Sequence, residues 1–454
     1  MYKKFITAIK WNFINTFFYK IILLIHQIIL FYFISKELYG EVGTMFALLY
    51  LLINGTGYGF EYILFVRYSN YVKSKQAFLK IIFQFFLKLL SIFITIAIFM
   101  IMIHFYRQND MIPIPFLNYQ LPTSTIPFFL LLFFIENSKK YLENIAQLAF
   151  LNKAITFIQI GSLLLYISTV WSSFFILKKI TLSTFFIPLI ISGILELFYI
   201  IVIIYRFYLT LPNNQNELKL SQKSIFKEQL SNYINQLSKN IFSPNFLLIL
   251  IASYISMQQV GIIRFYTNII TLFYLFLNKS IAIPSSAFFA NINEQAFEKT
   301  KKLFLKITNN YVQLLYFIAI IIMSTVLYHM LQKQCSIELI LITIFFIFAT
   351  FIEYVTIMYE KLFILRQMAY SLMIINTISA ILFIITLVQL HPQPFILLAP
   401  VCVIRISAAY CIGLIAYRKW NIKPQKGIRA KTLLSGIFSA LIINIFIKLH
   451  CLFL

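Results

Sequence analysis

A succession of apolar runs, each near or above the length needed to cross a bilayer, constrains this chain more than any other feature. At 1.5 Å rise per residue a helix crosses the hydrocarbon core in about 20 apolar residues. On that ruler, runs fall at 12–35, 42–66, 79–104, 124–149, 154–174, 182–206, 236–256, 261–290, 308–330, 336–358, 364–389, 394–417 and 432–453. They predict an all-α polytopic membrane protein with twelve transmembrane helices and a thirteenth candidate at the C-terminal end. Runs this long, without strand-length alternation, satisfy their backbone polar groups in lipid only as helices. The composition agrees: 61% of the 454 residues are hydrophobic and 11% are charged, too few charges to clothe a soluble surface. The basic start, MYKKFITAIKW, runs into the first apolar segment without a small-residue cleavage signature, which reads as an uncleaved span.

A net charge of +24 raises nucleic acid as a partner, but the placement of the charges excludes it. The cations gather in alternate connectors: Lys3, Lys4 and Lys10; Arg67, Lys73 and Lys75; Lys139, Lys140 and Lys153; Lys219, Lys223, Lys227 and Lys239; Lys299, Lys301 and Lys302; Lys361; and Arg418 to Lys431. The opposite connectors, 36–41, 105–123, 257–260, 331–335 and 390–393, are poorer in them. The positive-inside rule then puts the N-terminus in the cytoplasm. Lys178 and Lys179 break the pattern at one outer turn. The cysteines, Cys335, Cys402, Cys411 and Cys451, form no CxxC and no pair with histidines at ligand spacing, so neither a metal, a disulfide framework nor a cofactor is indicated.

The chain reads as two halves. Ile34-Ser35-x4-Gly40 recurs as Ile255-Ser256-x4-Gly261, and Phe78-Leu79-Lys80-Ile81 recurs as Phe304-Leu305-Lys306-Ile307. With only 11 glycines in the chain, the glycine match is the informative one. The polar stretch 208–235 lies between the halves, and its later part has the character of an amphipathic helix on the inner leaflet. The expected organisation is a six-helix lobe at 1–207, a cytoplasmic linker at 208–235, a second six-helix lobe at 236–418, and a basic connector with an extra hydrophobic helix at 419–454.

Two stretches carry a family resemblance. Residues 34–75, ISKELYGEVGTMFALLYLLINGTGYGFEYILFVRYSNYVKSK, join a polar turn to a span with a glycine cluster (Gly55, Gly57, Gly59), one acid (Glu61) and a basic end. Residues 243–290 pair a "VG-x-aromatic" turn with a long helix ending in Pro284 and small residues. Both resemble the bacterial polysaccharide flippases of the O-antigen type, in the multidrug/oligosaccharidyl-lipid/polysaccharide exporter superfamily. That resemblance implies a bundle of 12–14 spans in two lobes around a central cavity, set in the bacterial cytoplasmic membrane. It implies a flippase, not an enzyme, moving a lipid-linked oligosaccharide, with membrane lipids around it and glycosyltransferases or a polymerase of a polysaccharide pathway as candidate partners. Flippases of the peptidoglycan precursor carry an Arg after a Tyr-x-Asn in the eighth span; here the run is Tyr266-Thr267-Asn268-Ile269, without the cation.

No nucleophile triad, phosphate loop or metal motif is present, so candidate function rests on ionisable groups inside the spans. Lys279, deep in the eighth span and followed by Pro284, is the first choice for attracting a diphosphate or acidic sugar; its ordinary reading is an ion pair between helices. Lys20 and His26 lie in the first span; Lys20 is within reach of the inner interface, and His26 reads either as a proton or substrate group or as an interhelical hydrogen bond. Lys88 in the third span has the position of a snorkelling lysine. Arg264 stands near the outer end of the eighth span, placed for a head group or for lipid phosphates. Arg405, mid-span among small residues, calls for a buried acid in its own half, with Glu353 the natural partner. Glu196 is the deepest acid and the candidate for cation coupling; a lysine across the bundle is its alternative. Glu136 is expected to pair near the inner face with Lys139 or Lys140.

Three readings compete. A flippase for a polyprenyl-diphosphate-linked sugar suits a cationic interior, in which fixed Lys and Arg replace the hydration of the diphosphate. A cation-coupled multidrug exporter needs acids, and Glu196 is a single one. A membrane enzyme acting on polyprenyl-linked sugars needs a polar catalytic outer loop, whereas 105–123 holds only Arg107 and Asp110 as charged groups.

Overall fold

A computed structural model describes residues 2–60, 64, 74–105, 111–113, 120–122, 125–177, 180–213, 222–277, 294–355, 357–365, 368–389 and 394–420. The fold is that of an all-α polytopic membrane protein. Eight of the described helices are long and apolar enough to span a bilayer, and Ile337–Ile352 forms a shorter apolar helix. The connector expected at 105–123 holds a small antiparallel ribbon, β1 (Met111–Pro113) with β2 (Gln120–Pro122). The Lys279 segment and the thirteenth candidate, 432–453, lie outside the described residues.

The chain divides into two compact units. The first comprises Met1–Asn240 and Leu248–Gly261; the second comprises Ile241–Leu247 and Ile262–Leu454. The first unit contains α1 (Tyr2–Phe33), α2 (Lys36–Gly55), α3 (Lys75–Phe105), α4 (Ile126–Leu148), α5 (Asn152–Leu177), α6 (Ser183–Thr210) and α7 (Gln222–Asn240). Helix α6 is its central packing element, with α4 and α5 laid against it and α1 against α5.

The α3 sequence shows how side chains sort themselves. Phe83, Phe86, Leu90, Phe93, Ile98 and Ile101 recur at helical spacing and are exposed, as a lipid-facing stripe must be. Phe78, Ile81, Lys88 and Ile92 recur on the opposite face and are fully buried. Lys88 therefore points into protein. The snorkelling position expected of it is replaced by a place in the core stripe.

Two boundaries differ from the apolar ruler. The second span, expected to run through 66, stops at Gly55, because the chain turns through Thr56–Gly59 with Tyr58 at φ 47° and Gly59 at φ 72°. The seventh run, expected from 236, begins inside α7 (Gln222–Asn240), the helix expected in the later part of 208–235, and the polar face of that helix is buried: Ser231, Asn232, Asn235 and Ser238 are all inside. Gln229 Nε2 donates to the Tyr58 carbonyl at 2.8 Å, and the Tyr233 hydroxyl donates to the Gly55 carbonyl at 2.9 Å. The carbonyls freed where α2 breaks thus find their donors on α7.

The remaining helices are α8 (Pro244–Ala252), α9 (Met257–Leu277), α10 (Glu294–Gln332), α11 (Ile337–Val355), α12 (Ile357–Leu365), α13 (Ala369–Gln389) and α14 (Pro394–Trp420). In the second unit α14 takes the part α6 takes in the first: α11 and α13 pack on it. Each of these two central helices carries an internal proline near its start, Pro188 and Pro400.

Candidate functional site

In the first unit a group of inward charges, Glu136, Lys139 and Glu196, lies where α4, α5 and α6 meet. Gly193 lets α6 approach α4 so closely that a Cβ there would stand 2.9 Å from the Ile135 side chain. One turn on, the Glu196 carboxylate lies 3.1 Å from Lys139 Nζ and accepts a hydrogen bond of 2.9 Å from the Ser162 hydroxyl. The same Lys139 ammonium stands 2.7 Å from Glu136. Tyr19 on α1 lies within Coulombic reach of Lys139, Glu196 and Glu136. Beside it, Asn15 donates to Gln159 at 2.5 Å. The alternative stated for Glu196, a lysine across the bundle, is what the structure shows.

In the second unit a comparable cluster lies where α12, α13 and α14 meet. The Arg405 guanidinium donates to Asn376 Oδ1 at 2.7 Å, stands 3.8 Å from the Glu360 carboxylate, and sits 5.0 Å from the centre of the Phe242 ring. Arg405 is 2% exposed, so this pairing is what makes its burial tolerable. The side chain of Glu353, the acid expected here, lies outside the described residues; among those described, Glu360, two turns further along the sequence, stands near the guanidinium.

The other sequence candidates fall as follows. His26 is buried on α1; its Nδ1 accepts from the Trp171 indole N–H at 3.3 Å, and its ring meets Tyr166 edge to face at 5.6 Å. The interhelical hydrogen bond is thus the reading of His26 that has a partner in place. Lys20 is half-buried, with Nζ 5.5 Å from the Tyr19 ring centre. Lys88 Nζ lies 5.5 Å from the Tyr141 ring centre. Arg264 is half-buried on α9, and its carbonyl accepts from Thr267 at 3.1 Å. Tyr266, in the run that departs from the peptidoglycan branch, hydrogen-bonds His329 Nδ1. Among the described residues no group of His, Cys, Asp and Glu is arranged to hold a metal ion.

Sequence reasoning missed Lys139 as the partner of Glu196, because it was counted as a connector charge. It also missed Asn376 and Glu360. A signal for Glu360 was present: Glu136 and Glu360 stand 224 positions apart, within the spacing of the two repeated motifs.

No family model matches this chain. No curated protein matches it either. Solved structures do. The chain is similar to the outward-facing form of a multidrug-resistance MATE transporter of the MOP superfamily, with TM-score 0.61 and 14% identity over 91% of this chain and 95% of that one. It is similar to the lipid II flippase MurJ in an inward closed conformation, with TM-score 0.54 and 15% identity over 96% and 92% of the two chains. A third similar structure is a MOP superfamily transporter from Pyrococcus furiosus whose binding pocket is described as reversed in polarity, with TM-score 0.55 and 12% identity over 92% and 96%. The chain has the fold these transporters share.

Proposed function

We propose that this protein is an exporter that moves a lipid-linked oligosaccharide, carried on a polyprenyl diphosphate, across the bacterial cytoplasmic membrane by alternating access. The observation that carries this reading over a cation-coupled drug exporter is the state of Glu196. Its carboxylate is engaged by the Lys139 ammonium at 3.1 Å and by Ser162 at 2.9 Å. A carboxylate that already holds an intrinsic cation is poorly placed to take up a coupling ion. The inward Lys88, with Lys20 and Arg264 half-buried, suits an anionic cargo instead, whereas Arg405 is held by Asn376 and Glu360 and serves its own unit. Lys279 and its neighbours belong to the same proposal, as does the cytoplasmic N-terminus.

Export of surface polysaccharide in cells carrying Lys279→Ala or Lys88→Met tests it. Both variants are expected to insert in the membrane and to lose export. Normal export in both, together with dye resistance that disappears in Glu196→Gln, supports the drug-exporter reading in its place.

A further inference from the structure

The glycine cluster at 55–59 is the most distinctive motif of the sequence, and neither buried ion cluster uses it. We propose that the break it makes in α2, together with the polar face of α7 and Asn137 of α4, is a recognition site for the hydroxyl groups of a sugar. This rests on the lipid-linked oligosaccharide reading above and names the place where the sugar portion is held.

The chemistry of the unpaired atoms points there. Thr56 Oγ1 donates to the Leu52 carbonyl at 2.8 Å, so its lone pairs are what Asn137 Nδ2 meets, also at 2.8 Å. That fixes the amide orientation and leaves Asn137 Oδ1 as a buried acceptor without a partner. On α7, Asn232 lies between Gln229 and Tyr233, which both bind the break, and its Nδ2 is a buried donor without a partner. Both residues are essentially inaccessible, at 0% and 1% exposure, so leaving either group unmatched is costly. A carboxylate or phosphate would accept from Asn232 but could give nothing to Asn137. A cation would do the reverse. A sugar carries several hydroxyls, each able to donate or to accept, so one molecule can offer a donor to Asn137 and an acceptor to Asn232.

The setting agrees. The rings of Tyr58 and Tyr233 pack on each other at 5.3 Å beside the break, and aromatic rings are the side chains that pack on the C–H side of a pyranose. Lys140 at the same joint donates to Asn54 at 3.1 Å. Among the described residues, and apart from α2's own backbone and the adjoining residues, no atom lies within 4 Å of where a Cβ on Gly55 would sit, which leaves space beside the break.

The test uses the full chain purified in lipid nanodiscs and two probes: a polyprenyl diphosphate bearing a disaccharide, and the bare polyprenyl diphosphate. The native chain is expected to prefer the glycosylated lipid. Asn137→Leu and Asn232→Leu should each lower its affinity by roughly tenfold, with binding of the bare lipid and the thermal midpoint unchanged. If a leucine variant is unstable, Asn137→Ser and Asn232→Ser, which shorten the polar group, should show the same selective loss. Variants that keep the preference overturn the site while leaving the exporter reading standing, as does a native chain that binds both lipids equally. A native chain that binds neither lipid overturns the exporter reading and this inference together.

Discussion

Gly40 and Gly261 meet backbone to backbone. A Cβ on Gly40 would stand 2.1 Å from the Met257 carbonyl oxygen, and one on Gly261 would stand 2.1 Å from the Lys36 carbonyl oxygen. The two glycines of the sequence repeat therefore pack against each other, each against the first turn of the other's helix. Backbone offers no rotamer by which to yield, so a methyl group at either position must push the helix starts apart. Gly40→Ala and Gly261→Ala are each expected to cost about 1–3 kcal/mol, the range for overpacking. Thermal unfolding of each purified variant checks this, and a native midpoint in Gly261→Ala would contradict the contact.

The Lys139 cluster makes an asymmetric prediction. Lys139 serves both Glu136 and Glu196, whose side chains are 12% and 6% exposed. Lys139→Met leaves two buried carboxylates facing one another and should destabilise by about 3–5 kcal/mol. Glu196→Gln removes one carboxylate, keeps an acceptor for Ser162, and leaves Lys139 paired with Glu136, so it should cost clearly less. Denaturant unfolding of the two variants side by side decides the order. Equal losses would mean that Lys139 has no second obligation.

Much of this was legible in the chain. The apolar ruler found the eight long spans because lipid demands length and hydrophobicity and little else. The helix α7 was legible as an amphipathic one, but the burial of its polar face was not, since those groups meet the open carbonyls of α2 and hydropathy counts them as exposed. The repeat held the missing information: Asn12-Phe13-Ile14-Asn15 on α1 recurs as Asn232-Tyr233-Ile234-Asn235 on α7. The buried charges themselves were recognisable from their depth in the spans. Their partners were not, because Lys139 was grouped with the connector charges although it lies midway along α4, and Glu360 falls between two apolar runs; packing on α6 and α14 is what takes them inside.

Arg405 is expected to be irreplaceable by lysine. Its guanidinium reaches Asn376, approaches Glu360 and covers the Phe242 ring at once, and the three partners lie in directions that a single ammonium cannot serve together. Arg405→Lys should lower the thermal midpoint nearly as far as Arg405→Met. Glu360→Gln, at a 3.8 Å contact, should be the milder change. A lysine variant with native stability would show that the cluster needs only a positive charge.

The glycines of the α2 break should separate sharply under alanine substitution. At Gly59 the backbone has φ 72°, and a Cβ would lie 2.5 Å from the Gln229 carbonyl oxygen. Gly59→Ala therefore meets strain from the left-handed backbone and a clash with α7, and is expected to cost more than about 1 kcal/mol while loosening the hydrogen bond from Gln229 to Tyr58. Gly55 is the last residue of α2, and a Cβ there has nothing within 4 Å. Gly55→Ala should be neutral or should stabilise by up to about 1 kcal/mol, through helix propensity. Thermal melts give the sign for each. Hydrogen exchange at the amides of 229–240 gives the location, with faster exchange expected in Gly59→Ala and no change in Gly55→Ala. Matching exchange in the two variants would mean that α7 does not depend on the shape of the break.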